Sequence, residues 1–256
     1  MQKTLNHFII SAVEAQERRT KIHSEFTTKL STFPRFFNAI MGNRLSEQEI
    51  KAKVDDKGLL YKGEIGCALS HLSILKAFLA SAEQHIFVFE DDVCFSPRLQ
   101  EALAKIISFV EGNVQPTVVL LYNTEGIDKA VHKISDTCNN CLSRDGTCAH
   151  AYVLNRQAAR NILSIQTPLH FEFDTWFTYL KLRKIKIYCL SEPLVYLDEE
   201  NSHKSLIDAQ ENRENFNAEK RAIKARVYKE VYDSLPLQER LLIQLDRIKR
   251  HLRLLP

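Results

Sequence analysis

The chain has 256 residues, 45% of them hydrophobic, which is enough for one substantial α/β domain with an appended tail. Only 7 glycines occur, and no GxGxxG or GxxxxGK[ST] pattern is present, which excludes a phosphate site built on a glycine loop. The net charge of +3 divides unevenly, with 10 Lys/Arg against 4 Asp/Glu in residues 220–256 and 25 against 28 in the remainder, so a nucleic-acid-binding face is not expected.

Residues 1–19 lack a charged start followed by a sustained apolar stretch, and no apolar run is long enough to span a bilayer. The expectation is a cytoplasmic protein whose Cys67, Cys94, Cys138, Cys141, Cys148 and Cys189 are reduced thiols. Leu5 to Ile10 reads as a short buried strand, followed by a polar helix from Val13 to Leu30 and an extended segment from Phe33 to Ile40. Residues 46–60 read as a helix plus loop. From Glu64 the pattern is helical, with Ile65, Leu69, Leu72, Leu75 and Leu79 recurring at three- and four-residue steps. His85 to Phe89 is a β-branched and aromatic run that reads as a central strand and ends directly in Glu90-Asp91-Asp92.

Ser96 then stands as N-cap, and Pro97 as first residue, of a further helix. Thr117 to Tyr122 and Cys148 to Leu154 read as strands around a loop-rich stretch, 123–146. Arg156 to Leu163 is a short helix, Asp174 begins an amphipathic helix ending near Lys184, and Ile185 to Val195 returns as strand. This alternation predicts a layered α/β sheet with helices on both faces over residues 1–219, and a basic helical tail over 220–256.

Three adjacent carboxylates repel one another and are poor core material. At the carboxyl end of a buried strand, where α/β sheets bind ligands, they suit a hard divalent cation, Mn²⁺ or Mg²⁺, that bridges phosphate oxygens. A solvated acidic turn is the plainer alternative. Cys138-x-x-Cys141, with Cys148, His132 and His150 nearby, raises a zinc site, although unpaired thiols are the default there.

Gly63-Glu64-Ile65-Gly66-Cys67-Ala68-Leu69-Ser70-His71, followed by Phe89-Glu90-Asp91-Asp92, resembles glycosyltransferase family 25. That family includes lipooligosaccharide β-galactosyltransferases and resembles the galactosyltransferase domain that modifies collagen hydroxylysine. Further matching segments are Phe36 to Ile40, Gly146 to Leu154, Asp174 to Phe177, and the strand after Pro193 leading to Asn201-Ser202-His203. Where the family has an Asn-Leu-Asp-like segment after the first strand, this chain reads Ser11-Ala12-Val13-Glu14. The resemblance implies a GT-A-like fold, a UDP-sugar donor, a divalent metal and inversion at the anomeric carbon.

By likeness to the DxD motif of GT-A enzymes, Glu90 and Asp92 fill the outer positions. Asp92 is the leading metal ligand, Glu90 or Asp91 supports it through the donor sugar or water, and His203 is either a late-histidine ligand or a solvated loop histidine. Asp174 has three open roles: general base toward the acceptor hydroxyl, with flanking aromatics stacking on sugar rings, helix cap, or acceptor binding. Glu125 and Asp198 are weaker base candidates. Glu64 and His71, seven apart, share one face of a helix, a placement suited to aiming both at the donor, with a satisfied, half-buried histidine as the alternative for His71. Ser70 joins this donor-binding set, with a hydrogen bond to its own backbone as the alternative. Arg18 and Arg19 either meet the diphosphate or lie on a solvated helix face.

In the tail, Leu241, Leu242, Leu245, Ile248, Leu252 and Leu255 recur at helical spacing beside Arg240, Arg247, Lys249, Arg250 and Arg253. This is the pattern of a basic amphipathic helix lying on an anionic membrane, on the inner face of the cytoplasmic membrane where a lipid-linked oligosaccharide acceptor resides. A helix docking its leucines on the main domain is the alternative. The activity implied is transfer of a hexose, galactose from UDP-galactose, to a lipooligosaccharide or lipopolysaccharide sugar. Other classes are a metal-dependent sugar nucleotidyltransferase, which normally displays a glycine- and lysine-bearing loop not seen here, and a nucleotide-sugar-binding protein without turnover.

Overall fold

The computed structural model of the chain describes residues 5–55, 60–136, 138–198 and 217–251, apart from the side chains of 129, 217–219 and 249–251. Its strands are β1 (His7–Ser11), β2 (Phe36–Asn38), β3 (His85–Glu90), β4 (Val93–Phe95), β5 (Thr117–Leu120), β6 (Ile127–Lys133), β7 (Asn139–Ser143), β8 (Ala151–Asn155), β9 (Lys186–Leu190) and β10 (Val195–Leu197). Its helices are α1 (Gln16–Lys29), α2 (Glu47–Lys53), α3 (Lys62–Ala80), α4 (Leu99–Gly112), α5 (Arg156–Ile165), α6 (Trp176–Lys181), α7 (Asn217–Ser234) and α8 (Leu237–His251). Eight strands form one mixed sheet in the order β2-β1-β3-β8-β5-β9-β7-β6, and β10 pairs with β4 in a small second sheet.

β3 is the strand around which the layers assemble. It is parallel to β1 and antiparallel to β8, and Ile86 to Phe89 are buried. Because successive side chains of a strand point to opposite faces, Phe89 meets Phe26 of α1 while Glu90 meets His71 of α3. His85, on the Phe87 and Phe89 side, contacts Glu111 of α4. Helices therefore cover both faces, as the α/β reading predicts.

α3 is held close to the chain entering it. An added Cβ on Gly66 would stand 2.3 Å from the Ile40 carbonyl oxygen, and one on Gly42 would stand 1.6 Å from the Lys62 carbonyl oxygen. Only glycine permits that approach. By length and composition α3 is also apolar enough to cross a membrane, contrary to the expectation from sequence. Its Ile65, Leu72, Ile74, Leu75 and Phe78 are instead buried in the core.

Several expectations need correction. Residues 123–146 contain the β6–β7 hairpin, whose polar sequence sits at the sheet edge and whose pairing is broken by register shifts. Ser96 does not cap α4: the helix starts at Leu99, after the short strand β4 that pairs with β10. The 185–195 segment is two strands separated at Glu192-Pro193. The tail is docked on the domain through buried Val227, Val231, Leu235 and Ile243, with ion pairs from Lys184 to Glu239 and from Arg183 to Asp246. Leu237, Leu241, Leu242, Leu245 and Ile248 remain 45–63% exposed. Leu252, Arg253 and Leu255 lie outside the described residues.

Candidate active site

Glu90, Asp91 and Asp92 cap the carboxyl end of β3, and their three side chains meet different partners. Asp91 is buried, and its Oδ1 accepts from Arg18 Nη1 at 3.2 Å. Asp92 Oδ2 is 3.9 Å from the same guanidinium nitrogen, whereas Asp92 Oδ1 is buried with no hydrogen-bond partner. Burial first, then the charges of Glu90 and Asp91, push the Asp92 carboxyl up to about 7 against the pull of Arg18. An unpartnered buried carboxylate oxygen inside a like-charge cluster is relieved by a cation. The oxygens of Asp92, with Glu90 beside it, thus fit the hard cation implied by the sequence. Arg18, read as meeting the diphosphate or lying on a solvated helix face, is drawn to the acidic turn.

Glu90 faces α3. Its Oε1 is 3.5 Å from Nε2 of His71, a fully buried ring stacked on Phe173 at 4.2 Å and 8°. His71 Nδ1 is 3.0 Å from the Tyr152 hydroxyl. Burial would raise the Glu90 carboxyl, but His71, then His150 and Arg18, hold it below the ordinary value. Glu90 N–H donates to the His150 carbonyl, and the His150 ring stacks on Tyr122 at 4.1 Å.

Asp174 lies two residues before the start of α6, and its side chain makes no cap. Its Oδ2 accepts from the Cys148 N–H at 3.2 Å instead, at a backbone position with φ of 66°. Burial first and Glu172 second, with Glu90 contributing, raise the Asp174 carboxyl. The neighbouring aromatics are not free for sugar stacking as expected. Phe173 and Trp176 are buried, the latter donating Nε1–H to the Cys148 carbonyl, and only Phe177 is exposed, beneath Lys181.

Glu64 is on the predicted face of α3, but its carboxylate accepts from the Tyr61 N–H and from Lys220 Nζ at 2.6 Å. Lys220 also reaches Glu172 at 3.2 Å, so α7 ties the start of α3 to the segment before Asp174. Nothing in the local sequence signals this contact across 156 positions.

Ser70 is corrected. It is fully buried, donates to the Gly66 carbonyl and accepts from the Ile40 N–H, both at 2.8 Å, so its hydroxyl is committed to backbone. Arg19 likewise clamps Ser11, Ala12 and Asn38 rather than a phosphate. Asp198 is buried and paired with Lys21, and its N–H donates to the Asp92 carbonyl at 2.8 Å. Glu125 is exposed in the turn before β6. His203 lies outside the described residues. Cys138, Cys141 and Cys148 are free thiols, and among the described residues they gather into no metal-ligating group with His132 or His150.

A mixed α/β sheet that presents an acidic turn at a strand end, with a second raised carboxyl before a helix, offers a candidate site where open sheets bind ligands. The chain belongs to glycosyltransferase family 25 (LPS biosynthesis protein), whose model matches residues 4–177. It is 33% identical over 102 residues to a putative glycosyltransferase of Haemophilus influenzae, covering 38% of this chain and 36% of that protein. To a glycosyltransferase 25 family member of Aedes aegypti it is 29% identical over 110 residues, covering 39% of this chain and 18% of the other. A probable inactive glycosyltransferase 25 family member 3 of Bos taurus is 28% identical over 108 residues, covering 42% and 18%. The chain therefore spans only a part of these relatives' lengths. Among solved structures, A197 from STIV superimposes with a TM-score of 0.41 at 12% identity, over 75% of this chain and 83% of that one.

Proposed function

We propose that the chain is a glycosyltransferase that moves a hexose, galactose from UDP-galactose, to a hydroxyl of a lipid-linked lipooligosaccharide or lipopolysaccharide acceptor. The reaction is an in-line displacement that inverts the anomeric carbon and uses Mn²⁺ or Mg²⁺. The observation that carries this reading is Asp92, whose buried, unpartnered oxygen stands at the carboxyl end of β3 with its proton affinity raised to about 7. Asp92 and Glu90 would hold the cation, which supplies Lewis-acid neutralisation of the departing diphosphate.

Asp174 is the base. Its raised carboxyl has the proton affinity to take the acceptor hydroxyl proton while that oxygen bonds the anomeric carbon. The bond from the anomeric carbon to the diphosphate oxygen breaks with its electron pair, and UDP leaves. Lys220 fixes the Glu64 and Glu172 carboxylates on either side, which keeps the segment bearing Asp174 in register with α3.

Beside α6 a groove of about 770 Å³ is lined by Lys181, Arg221, Lys224 and Arg247, a cationic wall suited to a phosphate-bearing acceptor. The exposed leucines of α8 favour a seat on the inner face of the cytoplasmic membrane, where such an acceptor is anchored.

The test is a donor screen measuring transfer and hydrolysis of several UDP-sugars, with and without Mn²⁺. Turnover of UDP-galactose that requires the metal supports the reading, and metal-independent turnover unchanged in Asp92→Ala overturns it. The name of the Bos taurus relative favours a second reading, nucleotide-sugar binding without turnover. That reading requires UDP-sugar binding with neither transfer nor hydrolysis.

A further inference from the structure

Cys67 and His71 are four residues apart on α3, so both side chains leave one helix face, and that face looks onto the end of β3. A Cys67 sulfur, a His71 ring nitrogen and a Glu90 carboxylate oxygen all lie within 4.8 Å of one another. Sites for zinc-like cations hold sulfur, nitrogen and oxygen at about 2.0–2.3 Å, which places the ligands on the order of 3.5 Å apart. Side-chain adjustments of about an ångström are thus enough to close this group around an ion.

His71 supplies a second observation. Its Nε2 is fully buried, has no hydrogen-bond partner, and is directed at Glu90 Oε1, 3.5 Å away. The other ring nitrogen, Nδ1, sits 3.0 Å from the Tyr152 hydroxyl, and the ring plane is fixed by the stacked Phe173. A ligating histidine is held in this way, with its outer nitrogen on a hydrogen-bond partner and its inner nitrogen left for the ion.

We propose that Cys67 Sγ, His71 Nε2 and a Glu90 carboxylate oxygen form a binding site for a thiophilic divalent cation of the zinc and cobalt class, beside the hard-cation position at Asp92 and sharing Glu90 with it. Cys67 is a free cysteine, so its thiol proton must leave when the sulfur ligates an ion. Ligation releases that proton to solvent as the sulfur–metal bond forms. Three protein ligands leave a fourth position for water. The site stands on α3 and β3 alone and does not depend on the transfer reaction.

The test is a titration of the full chain with Co²⁺, followed by the near-ultraviolet thiolate-to-cobalt charge-transfer band and by the visible bands of four-coordinate cobalt. One equivalent is expected to bind with both signatures. Cys67→Ser should abolish the charge-transfer band, while Cys148→Ser, at a neighbouring thiol, should retain it. Tyr152→Phe should keep the band and lower cobalt affinity about 10–100-fold. Glu90→Gln, at a side chain 31% exposed, should weaken binding at least as much and serves if Cys67→Ser fails to fold. Absence of a thiolate band at saturation, its survival in Cys67→Ser, its loss in Cys148→Ser, or unchanged affinity in Glu90→Gln would each overturn the proposal.

Discussion

Replacing Asp92 with Asn should make the metal-free protein more stable at pH 8, although it removes a residue placed at the heart of the site. An ordinary aspartate ionises near 3.8, and folded Asp92 near 7. Between those values the folded chain holds a proton that the unfolded chain has lost, so stability falls as pH rises through that window and stays lowered above it. At about 1.36 kcal/mol per pH unit the gap amounts to at most about 4 kcal/mol. Glu90 and Asp91 share the repulsion, and the side chain is 18% exposed. A gain of about 2 kcal/mol is therefore the expected effect. For a chain of this length that is a rise of about 4–8 °C in Tm.

Thermal melts in a chelator at pH 8 and near pH 4 measure it. The variant should melt higher at pH 8, and the two curves should converge at the acid end. Mn²⁺ at a hundredfold excess over its Kd should then stabilise the unsubstituted chain by about 2.7 kcal/mol and leave Asp92→Asn unmoved. A variant no more stable than its parent at pH 8 would refute the assignment of a strained, cation-seeking carboxylate.

Asp174→Asn should lower transfer about 10²–10⁴-fold in steady-state assays, while the Mn²⁺-induced shift in Tm persists. Because burial and then Glu172 raise this carboxyl, the acid limb of the rate profile should lie above the ordinary aspartate range. A limb at or below that range would count against Asp174 as base. Ser70→Ala strands the Ile40 N–H and should cost about 1–3 kcal/mol in urea unfolding, with Mn²⁺ binding unchanged. A change in metal binding without loss of stability would restore Ser70 to the site. Leu241→Glu with Leu245→Glu, both exposed on α8, should change stability by no more than about 0.5 kcal/mol each yet lose flotation with phosphatidylglycerol vesicles. Equal flotation would remove the membrane seat.

What the sequence reveals follows from how local each signal is. The apolar run of β3 and the helical stripe of α3 are written in adjacent residues, and both elements form where the pattern puts them. Asn155 caps α5 from the position before the expected start, accepting the Ala158 N–H at 3.0 Å. The β6–β7 hairpin is illegible because an edge pair carries polar side chains and irregular register. Asp174 stands at a helix start and in one dimension reads as base, cap or acceptor-binding residue. Only the fold shows its carboxylate turned to Cys148. Phe173 and Trp176 look available for sugar stacking in sequence, but packing against His71 and Tyr152 consumes them. Lys220 carries no local sign of its bridge to Glu64 and Glu172. Sequence reasoning pairs His71 with Glu64 on one helix face and leaves Cys67 as a plain thiol, because the Cys67–His71 spacing gains meaning only once Glu90 stands opposite.

The central claim is that Asp92 holds a cation which neutralises the diphosphate of UDP. Calorimetric titration of UDP into the chain and into Asp92→Asn, each with and without Mn²⁺, tests it most directly. Mn²⁺ should tighten UDP binding to the unsubstituted chain at least about 10-fold, or about 1.4 kcal/mol, and should have no effect on the variant. An equal Mn²⁺ enhancement in Asp92→Asn would contradict the claim.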